Sequence, residues 1–273
     1  MSTAADRPGQ AGPEQPKPDQ TWLRRFHKAK PDAPRLICFP HAGGSASSFY
    51  AFSDQLAPDI EVFAVQYPGR QDRIAEPSPE SLGELADRLA AVIAPLGCER
   101  TAFFGHSFGS VLSFEVARRV AGQLGAGPVA LFASGYPAPS RIRNGSVHHR
   151  DDAGLVRELR ELGGIEERWL EDPDILAAIL PPLRADYRLI ETHQRTSETL
   201  DGVRLTMFTG DADPHTTLEE AEAWREATTG EFALEVFAGG HFYLDDHLPA
   251  LAQSVRTRVE QAVYSGAARQ DQA

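Results

Sequence analysis

Cysteine is nearly absent from this chain: Cys38 and Cys98 are the two in 273 residues, and they form no C-x-x-C pair. So few thiols exclude a disulfide framework, and they make a reducing compartment, the cytoplasm, the natural setting. Long apolar runs are missing as well. No stretch is apolar for the length of a bilayer, and the N-terminus lacks the basic segment and apolar run of an export signal, so neither membrane spanning nor secretion is expected. Positive charge is also scarce, with 27 Lys and Arg against 39 Asp and Glu and a formal net charge of −12. A nucleic-acid binder needs clustered cations for the phosphate backbone, and this balance argues against that class. No spacing of His, Cys, Asp and Glu resembles a zinc site, so no metal is expected.

What is present is enough apolar material, 41% of the residues, for one large core. Residues 1–20 are rich in proline, contain no large apolar residue after Met1, and read as a disordered tail. From there strands and helices alternate. Residues 35–39, 60–65, 101–104 and 129–133 are short apolar strand patterns. Between the second and third of them, residues 81–93 carry Leu82, Leu85, Leu89, Val92 and Ile93 on one helical face, with Ser81 as N-cap. This alternation implies a mainly parallel sheet flanked by helices on both faces. It breaks over 139–200, where helical patterns at 153–162, 175–180 and 183–192 are punctuated by Gly163-Gly164 and Pro181-Pro182. Such an insertion is expected to serve as a helical lid. The sheet resumes at 203–209 and 232–237, and a helix over 248–264 closes the core. The expected division is a core of 21–138 and 201–265, a lid of 139–200 and a C-terminal tail of 266–273.

The stretch that organises the chain is Gly105-His106-Ser107-Phe108-Gly109, a G-x-S-x-G pentapeptide between a strand pattern and a helix pattern. In that context the serine sits on a strained turn at a helix N-terminus, and side chains at the flanking glycines would collide with the crossing elements. A loop with adjacent glycines, Pro40-His41-Ala42-Gly43-Gly44, follows an earlier strand and is placed to give a second amide to an oxyanion. Two later strand ends carry Asp211 and Asp213, then His241. The order Ser, Asp, His is that of the α/β-hydrolases among serine-hydrolase orders. A hydroxyl is a weak nucleophile, so Ser107 needs the His241 imidazole to take its proton and a carboxylate to orient that ring. Asp213 is the expected acid, with Asp211 as a loop brace. His106 is expected to pack at the elbow, His41 to brace the glycine loop, His215 to cap a turn, and His148 and His149 to lie at the surface.

Together Phe39-Pro40-His41-Ala42-Gly43-Gly44, Tyr67-Pro68-Gly69-Arg70, Gly105-His106-Ser107-Phe108-Gly109, Leu183-Arg184-Ala185-Asp186-Tyr187, Gly210-Asp211-Ala212-Asp213-Pro214 and Gly240-His241-Phe242 resemble the type II thioesterases of polyketide and nonribosomal peptide synthetases. The resemblance runs from about Arg35 to Val263. It implies an α/β-hydrolase fold and an editing hydrolase that clears acyl groups from the phosphopantetheine arm of acyl or peptidyl carrier proteins. Carried over, Ser107 is the nucleophile, Asp213 the orienting acid and His241 the base, while the amides of Ala42 and Phe108 form the oxyanion hole. No cofactor is implied, since phosphopantetheine arrives on the substrate. Phe108 stands where the family commonly has methionine, and its larger ring is expected to narrow the acyl site. A carboxylesterase or lipase, an acyltransferase, and a non-catalytic binding protein on the same fold are the alternatives. Carrier proteins are usually acidic, so docking calls for a basic surface. Arg141, Arg143 and Arg150 are the candidates, with plain solvated charges the favoured reading.

Overall fold

The structure, a computed structural model, describes residues 19–141, 145–194 and 196–270, without the side chains of 265–270. Most of the expected tail at 1–20 lies outside the described residues. Seven strands, β1 (Leu23–Arg24), β2 (Arg35–Phe39), β3 (Glu61–Val65), β4 (Thr101–His106), β5 (Ala130–Ser134), β6 (Arg204–Gly210) and β7 (Phe232–Phe237), form one sheet in the order β1-β3-β2-β4-β5-β6-β7. All neighbours are parallel except the edge pair β1 and β3. The helices are α1 (Tyr50–Leu56), α2 (Leu82–Ile93), α3 (Phe108–Leu124), α4 (Asp152–Leu162), α5 (Glu167–Leu170), α6 (Pro173–Glu191), α7 (Leu218–Glu222), α8 (Tyr243–Asp246) and α9 (Leu248–Gln270). The sequence ends the last helix at Tyr264, whereas α9 continues to Gln270.

Alternate residues of each strand feed different faces, as the pleat requires. Ile37, Phe103, Leu131 and Leu205 pack with α2 and α3, while Leu36, Phe104, Phe132 and Phe208 pack with α1 and α9. Both faces are therefore covered, which is why β4 is buried at all six positions and reads as a continuous apolar run. The α2 boundary follows local chemistry: Ser81 accepts the Glu84 amide at 3.1 Å, and Leu82, Leu85, Leu89 and Ile93 turn inward. Both cysteines are buried and unpaired.

The insertion differs from expectation in one respect. Pro181 and Pro182 do not separate two helices; they lie inside α6, which runs unbroken from Pro173, capped by Asp172. Each interior proline costs about 3 kcal/mol and frees a carbonyl one turn back. Those carbonyls belong to Ala177 and Ala178, which are exposed to water, while Leu180, Leu183, Leu189 and Ile190 are buried in the core that also holds α2 and α3. Packing of that face outweighs the local preference to break.

Register brings the carboxyl ends of the central strands level: Phe39 pairs with Gly105, His106 with Ser134, Ser134 with Phe208, and Gly210 with Phe237. Because β2 connects outward to β3 and β4 connects the other way to β5, the connections diverge between β2 and β4, the position where open α/β sheets bind ligands. The glycine loop after β2 and the turn after β4 line that crevice.

The β2 and α3 backbones cross so closely that a Cβ at Gly109 would lie 2.0 Å from the Phe39 carbonyl oxygen and 2.7 Å from that of Pro40. Gly122, also in α3, has nothing within 4 Å of its Cβ position. Gly109→Ala should lose more than about 4 kcal/mol or fail to fold, whereas Gly122→Ala should gain about 0.5–1 kcal/mol from helix propensity. Urea unfolding of both variants checks the pair; equal effects would remove the crossing as the reason for glycine at 109.

Candidate active site

Ser107 is the residue between β4 and α3, with φ 55° and ψ −121°, a left-handed conformation that non-glycine residues rarely hold. The surroundings hold it there. The Ser107 amide donates to the Ser134 carbonyl at 2.7 Å, and the Ser107 carbonyl accepts from the Ser110 amide at 2.9 Å. Ser110 Oγ lies 2.8 Å from the Gly105 carbonyl and 2.7 Å from that of Ser134, and it accepts the Ser134 amide at 2.9 Å. Strand β5 thus braces the turn through Ser134. The Ser107 side chain faces a cavity of about 70 Å³ beneath α4 and α6, lined by Ala42, Leu159, Ile179, Leu183, Tyr187 and His241 among others. A larger open groove of about 670 Å³ lies along α6 between His148 and Arg188 and touches none of the residues expected at the site.

His241 follows β7 and is 1% exposed. Its Nδ1 lies 2.9 Å from Asp213 Oδ2 and 3.1 Å from Oδ1, with the carboxylate fully out of water. Asp213 Oδ1 also accepts the His215 amide at 2.8 Å, so its orientation is set by its own loop. Asp211 does not reach the imidazole. It accepts the Gly239 amide at 2.9 Å and ties the loop after β6 to the loop after β7, the bracing role its position implied. With Nδ1 committed to Asp213, Nε2 is the nitrogen left for the cavity that His241 shares with Ser107. No hydrogen bond joins Ser107 Oγ to that nitrogen in this state.

Two of the neighbouring imidazoles, His41 and His106, are held neutral. Burial lowers His41 to about 4, with smaller contributions from His241 and Arg70. Burial also takes His106 well below its ordinary value, again with contributions from His241 and His41. His106 Nδ1 lies 2.9 Å from Ser134 Oγ, and its ring centroid is 5.0 Å from that of His241. It packs at the elbow, as expected. His41 accepts the Gly44 amide on its carbonyl at 2.9 Å and so helps shape the glycine loop.

Other expectations need correction. His215 is not confined to a turn: its Nε2 lies 3.0 Å from Glu158 of α4, joining the Asp213 loop to the insertion. The His215 hydrogen bond is the chief influence holding the Glu158 carboxyl below the usual carboxylate range. His148 is not plain surface, because it pairs with Glu191, whose side chain is 5% exposed. The Phe108 ring does not narrow the cavity; it is buried in the core against Tyr67, with centroids 5.8 Å apart. Arg141 is paired with Glu226 at 2.7 Å and Arg150 with Glu158 at 2.6 Å, so neither is an unmatched cation for a partner. Arg143 lies outside the described residues.

Sequence reasoning also missed a contact. Arg70 and Asp186 entered only as members of two separate motifs, yet they form a bidentate ion pair of 2.7 and 3.0 Å with side chains 6% and 2% exposed. They stand 116 positions apart, and no local pattern links them. Among the described residues no group of three or more His, Cys, Asp or Glu could hold a metal, and no helix is long and apolar enough to cross a membrane.

The profile of the thioesterase domain family matches residues 34–259. The probable cadicidin biosynthesis thioesterase of Streptomyces griseus is 50% identical over 243 residues, which cover 89% of this chain and 66% of that protein. Thioesterase PikA5 of Streptomyces venezuelae is 46% identical, over 82% of this chain and 80% of its own. Among solved structures, the type II thioesterase BorB from the borrelidin biosynthetic cluster superposes with a TM-score of 0.82 at 44% identity, covering 89% of this chain and 99% of that one. With the parallel sheet, the turn at Ser107 and these likenesses in hand, the chain belongs to the thioesterase domain family and has the α/β-hydrolase fold.

Proposed function

We propose that the protein hydrolyses acyl thioesters on the phosphopantetheine arm of acyl or peptidyl carrier proteins, as an editing type II thioesterase of polyketide or nonribosomal peptide assembly. The observation that carries the reading is the buried Asp213–His241 pair, which opens onto the same apolar cavity as a serine held in a left-handed turn. The relatives' assignment to cadicidin and borrelidin biosynthesis supports the substrate class. Two buried, unpaired thiols suit the cytoplasm, where such a partner would be met.

In this reading His241 Nε2 takes the Ser107 hydroxyl proton as Oγ attacks the thioester carbonyl carbon. Asp213 holds the imidazole in the tautomer with hydrogen on Nδ1 and stabilises the imidazolium. The negative charge that develops on the carbonyl oxygen meets the amides of Ala42 and Phe108. Phe108 begins α3, where backbone amides have no partner within the helix, and among the described residues no hydrogen bond engages either amide. Each such donor contributes roughly 3 kcal/mol to the transition state. The carbon–sulfur bond then breaks, and the imidazolium gives its proton to the pantetheine sulfur. Water, deprotonated by His241, attacks the acyl-Ser107 carbonyl, and the proton returns to Oγ as the acid leaves. Nothing in this sequence of steps calls for a metal or a cofactor of the protein.

The insertion over 139–200 acts as the lid. A cavity of about 70 Å³ is well below the roughly 300–1,000 Å³ of a pocket that holds a small ligand. An acyl chain therefore needs α4 and α6 to yield. Helices that bury the reaction in this way exclude water from the thioester before attack.

Ser107→Ala should abolish turnover while the melting transition stays cooperative; turnover near the unmodified rate would remove Ser107 as nucleophile. Asp213→Asn should lower kcat by about 10⁴ through the wrong imidazole tautomer, and Asp211→Asn, which loosens only a loop contact, should lose far less. The reverse ranking would exchange the two assignments. Substrate class is checked by offering one acyl group on a holo carrier protein, on a small thiol and on a simple alcohol. Preference for the carrier thioester, with free acid as product, is the expected result. Preference for the alcohol ester would make the protein a carboxylesterase, and transfer to an added alcohol or amine acceptor would make it an acyltransferase.

A further inference from the structure

We propose that Asp186, carried by insertion helix α6, is the positioning residue of the oxyanion loop, so that the oxyanion hole is complete only while α6 is seated. The inference rests on the serine-hydrolase reading above. Asp186 Oδ2 accepts the Gly43 amide at 2.8 Å and Arg70 Nη1 at 2.7 Å, while Oδ1 accepts Arg70 Nη2 at 3.0 Å. The same Arg70 Nη1 donates to the Gly44 carbonyl at 2.9 Å. One carboxylate and one guanidinium therefore hold two peptide groups, 42–43 and 44–45, of the loop that carries the Ala42 amide. The Ala42 N–H lies in the peptide plane of the His41 carbonyl, which accepts the Gly44 amide at 2.9 Å, so holding Gly43 through Asp186 and Gly44 through Arg70 restrains that plane from the neighbouring residues.

Apolar contact from the same helix reinforces this. Gly43 has φ +73°, and a Cβ there would lie 3.1 Å from Leu183 Cδ1, one turn before Asp186 on α6. The loop and the helix thus touch through both a charge and a methyl group. On the other side, the Tyr67 hydroxyl donates to the Pro40 carbonyl at 3.1 Å and Gln66 Oε1 accepts the Ala46 amide at 2.9 Å, so the two ends of the loop are fixed to the segment after β3. Its middle is held by Asp186 and Arg70.

Helix docking alone does not call for this arrangement. A buried ion pair is weak evidence for stability, since apolar residues of similar volume often serve as well or better. What a leucine pair could not do is orient backbone amides. Asp186 also takes Gly43 out of consideration as an oxyanion donor, because its N–H is already used, and this leaves Ala42 as the free amide of the loop. Ile179, Leu183 and Tyr187 of α6 wall the cavity. Any shift of α6 that admits an acyl chain must also pull on Asp186, and return of the helix restores the loop.

The test compares Asp186→Asn and Arg70→Lys with the unmodified protein and with Ser107→Ala, using an acyl thioester of a small thiol and an alkyl boronic acid that forms a tetrahedral anionic adduct on Ser107. In both positioning variants kcat should fall about a hundredfold, the order expected for one misplaced donor. KM and affinity for the free fatty acid should stay within about threefold, and boronate affinity should fall in step with kcat/KM. A variant that melts cooperatively and keeps kcat within about threefold would overturn the inference, as would equal losses in kcat and in fatty-acid affinity. Should both variants fail to fold, hydrogen exchange of the unmodified protein decides. Boronate binding should slow exchange at Gly43 and across α6 together, and protection at Gly43 with α6 unchanged would overturn the coupling. Ser107→Ala keeps the two claims separable: an active Ser107→Ala removes the hydrolase reading, whereas an inactive one beside a normal Asp186→Asn removes only the role of Asp186.

Discussion

The close crossing of β2 and α3 is the constraint on which the rest depends. With no side chain at Gly109 the carbonyls at the end of β2 meet the first turn of the helix at distances a Cβ would not permit, and with none at Gly105 the end of β4 meets the Gly109 carbonyl in the same way. The chain leaving β4 must then reverse within one residue, and Ser107 takes the left-handed conformation that makes this turn. Such strain persists only where surrounding contacts over-determine it. Here they are the carbonyl and hydroxyl contacts of Ser110 and Ser134, drawn from α3 and β5. The same geometry places an unbonded amide, that of Phe108, next to the serine. The proposed nucleophile and one proposed oxyanion donor therefore follow from one packing requirement.

The pair proposed as acid and base, Asp213 and His241, is built by a different device. Strands β6 and β7 end level, and their loops are joined by the Asp211 carboxylate on the Gly239 amide and by the Ala212 amide on the Gly239 carbonyl, at 2.9 Å each. That junction brings Asp213 under His241 and removes both from water, where the field of the carboxylate on the imidazole is least screened. Burial lowers both His41 and His106, so neither of these two rings adds a positive charge beside His241 at neutral pH. A cation at either would repel an imidazolium at His241.

Much of this was legible in the sequence because it is local. The G-x-S-x-G context, the glycine loop, the two strand-end carboxylates and the strand alternation each depend on residues within a few positions of one another. The distinction between Asp211 and Asp213 was also readable as a bracing residue beside an orienting one. Long-range pairing was not readable: Arg70 with Asp186, His215 with Glu158 and His148 with Glu191 all join the insertion to other segments or to itself across dozens of residues. The continuity of α6 was hidden for a related reason. Two adjacent prolines carry a strong local signal to stop, and only the packing of Leu180, Leu183, Leu189 and Ile190 on a core assembled from elsewhere overrides it. Phe108 shows the converse error, in which a side chain beside the nucleophile in sequence points into the core because α3 turns it there.

Helix α6 is where these two kinds of information meet. Its inner face supplies Leu183 and Tyr187 to the cavity, and Asp186, between them in sequence, supplies the contact to the glycine loop. In the proposed function an acyl chain in the cavity would press on the first pair and so bear on the third residue. The cavity wall and the anchor of the glycine loop thus belong to one helical stretch, less than one and a half turns long from Leu183 to Tyr187. A lid hinged elsewhere could open without disturbing the catalytic amides. Under the proposed coupling this one could not, and acyl groups that keep α6 from seating would be bound without being efficiently attacked. Selectivity in such a site is exercised on the chemical step rather than on binding alone, in keeping with the rule that only interactions stronger in the transition state accelerate turnover.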